Sequence, residues 1–248
     1  MVAPSDVVIQ DLAWDSAFWE RRVTRIDLDR RDLAPTSFEE LLRAARDRSD
    51  FVQLLLPAAR LREAQHAEAV GFRLVDVRAE VVLMRSANAL GMDAPDGLRR
   101  LRPNDLPSVA DLAAVCHDNS RFANDRALDP AAVRELYRRW IVRDAERDGW
   151  TIDVYEVHGK IAGYVTHGPI ASGVSTIGLV GVAPESRGRG FGALLVAWAT
   201  QRQLSAGALL MSVVTQGGSE SAMATYRRLN YAVQALGLWL HWHRQEET

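Results

Sequence analysis

Cysteine and lysine are nearly absent from this chain, which holds one cysteine, Cys116, and one lysine, Lys160, among 248 residues. A single thiol excludes an intrachain disulfide and any metal site built from several cysteines. Arginine takes the place of lysine, since the two together number 30. With abundant Ala, Leu and Asp, this reads as the coding bias of a high-GC bacterial genome, so individual arginines carry little functional weight. The net charge of −2 leaves no cationic surplus for a nucleic acid or an acidic membrane surface. No run approaches the roughly 18 apolar residues of a membrane span. Met1 to Gln10 lacks the basic start and apolar core of a secretion signal. The expectation from these absences is a cytoplasmic protein that meets neither nucleic acid nor membrane. Its oligomeric state is not legible, and a homodimer stays open.

The residues present are those of an ordinary globular chain, 48% apolar and 25% charged. The length allows one large domain or two small ones. Ser86 to Gly97 is small, contains Gly, Pro and Asp, and has no periodicity, which predicts a linker between a domain over 1–85 and another over 98–248. In the second, Leu101 to Asn104 reads as a short strand entering a turn and Leu106 to His117 as an amphipathic helix. Asp129 and Pro130 supply an N-cap and a first-turn proline for a helix through Glu146. Strands are expected over Trp150 to Val157 and Ile161 to His167, with His158 to Lys160 as their hairpin turn, and over Val174 to Val182. A helix over Gly190 to Leu204, a strand over Ala208 to Thr215, a helix over Ser219 to Leu229 and a strand over Tyr231 to Trp242 complete a mixed α/β sheet with flanking helices.

The first part echoes the second. Phe51 to Arg85 lies on Leu210 to Arg244 without a gap, at a constant offset (210 − 51 = 159 and 244 − 85 = 159). Residue identity is almost nil, so what repeats is a strand–helix–strand pattern. No glycine-rich loop precedes Phe51, so that copy is expected to bind no cofactor.

Such a loop does precede the helix at Gly190. Val180 to Gly192 (VGVAPESRGRGFG) joins a strand to a helix. Glycine at 188, 190 and 192 lets backbone N–H groups approach a ligand at the positive end of the helix, which suits a diphosphate. Arg187 and Arg189 can add charge-assisted bonds. No Lys-Ser/Thr follows, which excludes a P-loop. Gly188, Gly190 and Ala193 fit a dinucleotide spacing, but the acidic residue that reading needs is missing from Leu209 to Val214.

The loop resembles the acetyl-CoA signature R/Q-x-x-G-x-G/A of the Gcn5-related N-acetyltransferase (GNAT) superfamily. Ser219 to Tyr231 (SESAMATYRRLNY) is similar to that superfamily's later motif N-x-x-A-x-x-x-Y-x-x-x-G-F. Ala222 and Tyr226 match, Tyr231 stands for Phe, Asn230 for Gly and Ser219 for Asn. The resemblance implies the GNAT fold, acetyl-CoA as cosubstrate with no metal, and an amine acceptor. It implies that the backbone of Val180, Gly181 and Val182 pairs with pantetheine. Arg187, Gly188, Arg189, Gly190, Phe191, Gly192 and Ala193 would hold the pyrophosphate, with Ser219 near the CoA arm. Tyr226 would be the general acid, because a phenol of pKa about 10 can protonate a leaving thiolate whose acid has pKa about 8.5. In the repeat alignment Ala67 takes the place of Tyr226, which makes the first domain a degenerate copy.

The layout also resembles the dTDP-fucosamine acetyltransferase family, through Leu12 to Trp19, Gly71 to Asp76, Ser120 to Phe122, Trp140-Ile141 and Thr215-Gln216. This implies a dTDP-4-amino-4,6-dideoxyhexose as acceptor, bound between the domains. By that resemblance Arg121 would pair with the diphosphate, Phe122 would stack on a base or sugar, and Asp76 would contact the amine. Another amine (an antibiotic amino sugar or a peptide N-terminus) and a non-catalytic CoA-binding module remain alternatives. Three sources could serve as the base: His167, Asp153 or a water chain. His241 and His243 alternate onto one face of the last strand, and metal ligation is not expected because no third ligand has a recognisable spacing.

Overall fold

The computed structural model describes residues 9–28, 35–85 and 95–245. Most of the expected linker, residues 86–94, lies outside them, as do residues 1–8 of the segment read for a secretion signal. The chain divides into two compact units. The first comprises residues 1–78, 124–127 and 235–248; the second comprises 79–123 and 128–234.

The first unit holds β1 (Ile9–Asp11), α1 (Ala13–Trp19), β2 (Val23–Asp27), α2 (Pro35–Arg48), β3 (Phe51–Pro57) and α3 (Leu61–Ala69). It also takes the start of β4 (Arg73–Met84) and the end of β10 (Ala232–His243). β2 and β3 run parallel, and β10 lies antiparallel on β3 with Leu240 opposite Leu54. β3 is buried from Phe51 to Leu56 and apolar there except at Gln53, the near-continuous apolar run of a strand covered on both faces. Ile26, Phe38, Leu42, Leu54, Phe72 and Leu240 make the core of this unit.

The second unit holds β5 (Leu98–Arg100), α4 (Leu106–Cys116), α5 (Pro130–Glu146), β6 (Thr151–Val157), β7 (Lys160–His167), β8 (Val174–Val182), α6 (Phe191–Ser205), β9 (Leu210–Gln216) and α7 (Glu220–Arg228). Its strands stand in the order β4-β9-β8-β7-β6-β5, with β8 and β9 parallel and β5 to β8 antiparallel. The Asp129 carboxylate caps α5 by accepting from the N–H groups of Ala131 and Ala132 at 3.2 Å each. His158 and Gly159 both have positive φ (50° and 74°), the backbone a two-residue hairpin turn demands. Among the described residues, no helix is long and apolar enough to cross a membrane.

One strand stands earlier than its sequence suggests. Leu101 to Asn104 is not a strand; β5 occupies Leu98–Arg100, and Pro103–Asp105 form a single 3₁₀ turn. Pro103 has no N–H to give a ladder. Arg99 fixes the register instead, bonding Asp105 at 2.6 Å and Glu156 at 2.7 Å.

The repeat is visible element by element. Strand, helix and strand occupy 51–57, 61–69 and 73–84, then 210–216, 220–228 and 232–243, offset by 159 at every boundary (220 − 61 = 159; 232 − 73 = 159). Even the helix exits coincide. Phe72 N–H donates to Ala67 O at 3.0 Å and Tyr231 N–H to Tyr226 O at 2.9 Å. The residue before each is left-handed, Gly71 at φ 100° and Asn230 at φ 64°. Asn is among the few residues besides Gly that tolerate this conformation, so the helix-ending role survives the change.

Candidate active site

The site in the second unit begins with a gap in its sheet. β8 and β9 pair from Val174 opposite Leu210 to Ile177 opposite Val213. Among the described residues no further rung forms between them, although β8 continues to Val182 and β9 to Gln216. β7 bonds the other edge of β8, with Tyr164 opposite Gly181 and Val165 opposite Val180. The edge of residues 178–182 that faces away from β7 therefore presents backbone N–H and C=O groups without strand partners, an edge that an extended amide chain can use.

At the end of that edge the chain turns into α6. Arg187, Gly188, Arg189 and Gly190 are exposed. Gly188 and Gly190 have φ of 76° and 83°, and beyond their own chain neighbours nothing lies within 4 Å of where either Cβ would be. The space beside both is open. Gly190 is the N-cap residue, so the N–H groups of the first turn of a 15-residue helix face solvent there. Arg189 rests over the Phe191 ring at 4.8 Å, which in turn meets Tyr155 edge-on.

Tyr226, on α7, is 6% exposed and packs edge-on against Tyr231 at 5.6 Å, in the same apolar cluster as Val180, Val182 and Val213. Burial raises its pKa above the ordinary tyrosine value, and Tyr231 acts in the same direction. The phenol therefore keeps its proton at neutral pH, where its hydroxyl can donate. Ser219 is the N-cap residue of α7 but makes no side-chain capping bond.

The other face of β8 carries a feature the sequence did not single out. Tyr164 lies against Gly181, where an added Cβ would come within 2.4 Å of its ring, and the Cys116 thiol donates to Val182 O at 3.3 Å. The Tyr164 hydroxyl is 2.8 Å from His117 Nε2, and the His117 ring stacks on Tyr137 at 4.4 Å. Burial pushes the His117 pKa down to about 4, with Arg187 adding to the effect and Asp118 opposing it. His117, Tyr137, Val115, Leu128 and Arg134 line a cavity of about 320 Å³ beside α4 and α5. A lone histidine followed by Asp and Asn gives no periodic signal, so only the fold reveals this pocket.

The residues expected on the acceptor side fall in different places. Phe122 is 2% exposed, and the Arg121 guanidinium covers its ring at 4.5 Å. The ring therefore packs inside the protein. Asp76 is half-buried on the part of β4 that belongs to the first unit. The two named candidates for the base sit in a closed network. His167 Nε2 is 3.1 Å from the Asp153 carboxylate, which also accepts from Trp198 Nε1 and Arg202, while Gln203 bonds His167 Nδ1. With His167 1% and Asp153 0% exposed, this network holds α6 onto β6 and β7.

Comparison with known proteins agrees with this geometry. Residues 112–231 match the acetyltransferase (GNAT) family model. The dTDP-fucosamine acetyltransferase of Escherichia coli O6:H1 is 27% identical over 245 residues, 96% of this chain and 99% of that protein. Among solved structures, a GCN5-related N-acetyltransferase from Sphaerobacter thermophilus superposes with a TM-score of 0.66 at 16% identity, covering 91% of this chain and 74% of that one. A tandem GNAT protein from the clavulanic acid biosynthesis pathway gives 0.58 at 16% identity, covering 91% and 76%. The open edge of β8, the loop before α6 and the matched span therefore make residues 112–231 an acetyltransferase domain of the GNAT family, and the chain an acetyl-CoA-dependent N-acetyltransferase.

Proposed function

We propose that this enzyme moves acetyl from acetyl-CoA to the amino group of a nucleotide-linked amino sugar of the dTDP-4-amino-4,6-dideoxyhexose type, by direct attack of the amine on the thioester. One observation carries the catalytic part: the unpaired edge of β8, the exposed glycine loop at the start of α6 and the protonated Tyr226 belong to one compact unit. The acceptor class rests on the near full-length match to an enzyme named for dTDP-fucosamine. The amides of Val180 to Val182 pair with pantetheine, the turn from Arg187 to Ala193 holds the pyrophosphate, and Ser219 lies near the CoA arm. Tyr226 protonates the departing thiolate. Arg121 meets the acceptor's diphosphate. The first repeat is a degenerate copy without a cofactor, since Ala67 stands in register with Tyr226 and no glycine loop precedes Phe51.

Thiol release from acetyl-CoA, measured across dTDP-amino sugars, aminoglycosides and short peptides, tests the acceptor. Turnover of sugars at the 4-amino position is expected. Turnover of only an aminoglycoside or a peptide N-terminus would replace the acceptor, and binding without transfer to any amine would make the chain a CoA-binding module. Tyr226→Phe keeps the ring and removes the proton, so single-turnover transfer should fall by about 10²–10⁴-fold while acetyl-CoA affinity holds. A loss under about threefold would show that the thiolate leaves without Tyr226.

A further inference from the structure

The two histidines of β10 have a partner that no spacing announces. His241 and His243 project to one face of the strand, and residues 124–127, far away in sequence, bring Asp125 to them. Asp125 Oδ2 lies 2.7 Å from His241 Nδ1 and 2.7 Å from His243 Nε2. All three residues belong to the first unit, and one ligand atom from each lies within 4.8 Å of the others.

The trio is held in place before any ligand arrives. The side chains of His241, Asp125 and His243 are 0%, 7% and 15% exposed. Asp125 Oδ1 accepts the Ala127 N–H at 3.0 Å, which fixes the swing of the carboxylate. Phe51 stacks on His243 at 4.3 Å and meets His241 edge-on at 4.9 Å, so both imidazoles are packed in their rotamers. Two imidazoles and one carboxylate, oriented by outer contacts and wrapped in apolar surface, are the donor set of a first-row divalent ion with room for water.

We propose that Asp125, His241 and His243 bind one divalent transition-metal ion of the Zn²⁺ class. Without the ion, imidazole protons occupy its place. Arg21 Nη1, 3.4 Å from His243 Nδ1, can only donate, so the His243 proton sits on Nε2 and points at Asp125. Binding shifts each ring's proton to its far nitrogen and opens the 2.7 Å contacts. Metal–ligand bonds of about 2.0–2.1 Å in tetrahedral array set ligand atoms about 3.3 Å apart, so the opening needed is about half an ångström. The shifted His243 proton then faces the Arg21 guanidinium. Arg21 therefore opposes the ion, both through that proton and through its own charge.

The proposal is independent of the acceptor and of Tyr226. The full chain, stripped with chelator, is titrated with zinc chloride by calorimetry and with cobalt(II) chloride by visible absorption. One ion per chain is expected, with cobalt bands of low-symmetry nitrogen and oxygen ligation. His241→Ala, His243→Ala and Asp125→Asn should each weaken binding by at least about tenfold, and Arg21→Leu should tighten it. Asp125→Asn keeps size and hydrogen-bond acceptance, so it decides the matter if the alanine variants fail to fold. Acetyl-CoA affinity, read in parallel, should not move. Absence of stoichiometric zinc and cobalt binding, or equal binding by Asp125→Asn, would overturn the proposal and leave a hydrogen-bonded clamp.

Discussion

Replacing Asp144 with asparagine should stabilise the protein, and only above about pH 5. Asp144 lies on α5 at 1% exposure, and neither carboxylate oxygen has a hydrogen-bond partner. The nearest opposite charge is Arg143 Nη2 at 3.7 Å. Burial pushes its pKa up to about 6, with the charges of Arg143 and Arg147 opposing without cancelling. Because the folded-state pKa exceeds the unfolded value of 3.8, the folded protein binds the proton more tightly. The acid therefore favours folding most below about pH 4, and that advantage is lost as pH rises to about 6. A difference of about two pK units corresponds to about 3 kcal/mol of strain from the ionised form. Asparagine removes the charge at nearly the same volume but keeps a buried amide, so about 2 kcal/mol is the realistic gain. For a chain of this size that is a rise of about 4–8 °C in Tm at pH 7.5. Thermal unfolding of both proteins from pH 5 to pH 8 gives the difference, in which the other carboxylates cancel. An equal or lower Tm for Asp144→Asn at pH 7.5, or a gain that does not vary with pH, would refute the reasoning.

Other outcomes follow from single contacts. Gly190→Val, at φ 83° beside open space, should cut acetyl-CoA affinity by at least about 2 kcal/mol in calorimetry, with the fold judged by circular dichroism. Gly181→Ala would place Cβ 2.4 Å from the Tyr164 ring, so a destabilisation of about 1–3 kcal/mol is expected in urea unfolding. Asp129→Ala removes the cap of α5 and should cost about 1 kcal/mol by the same method, with little effect on acetyl-CoA binding.

Most of the second unit was legible because its signals are local. The alternation of Val174–Val182, the Asp-Pro cap of α5 and the Asn230 exit each depend on a few adjacent residues. The 159-residue echo was legible for the same reason, since strand, helix and strand patterns survive when identities do not. What stayed hidden was long-range. Asp125 meets His241 across 116 positions (241 − 125 = 116), and His117 meets Tyr164 across 47 (164 − 117 = 47). Nothing in the intervening chain reports either meeting. His167 and Asp153 looked available as bases because sequence does not show that Trp198, Arg202 and Gln203 enclose them. Phe122 looked free to stack because its burial is decided by Arg121 and the surrounding fold.

The division of the chain also bears on the order in which it can fold during synthesis. β3 lies beside β10 and β4 beside β9, so the closing strand of each repeat sits next to the opening strand of the other. Residues 235–248 belong to the unit made mostly of residues 1–78. The N-terminal unit leaves the ribosome first, yet its edge at Phe51–Pro57 stays unpaired until the last strand of the protein emerges. For that interval β3, apolar at every position but Gln53, is exposed as a bare strand edge, the template most prone to mispairing. Truncation from the C-terminus should therefore disable this unit first, although its first segment ends more than 150 residues upstream of the missing strand (235 − 78 = 157).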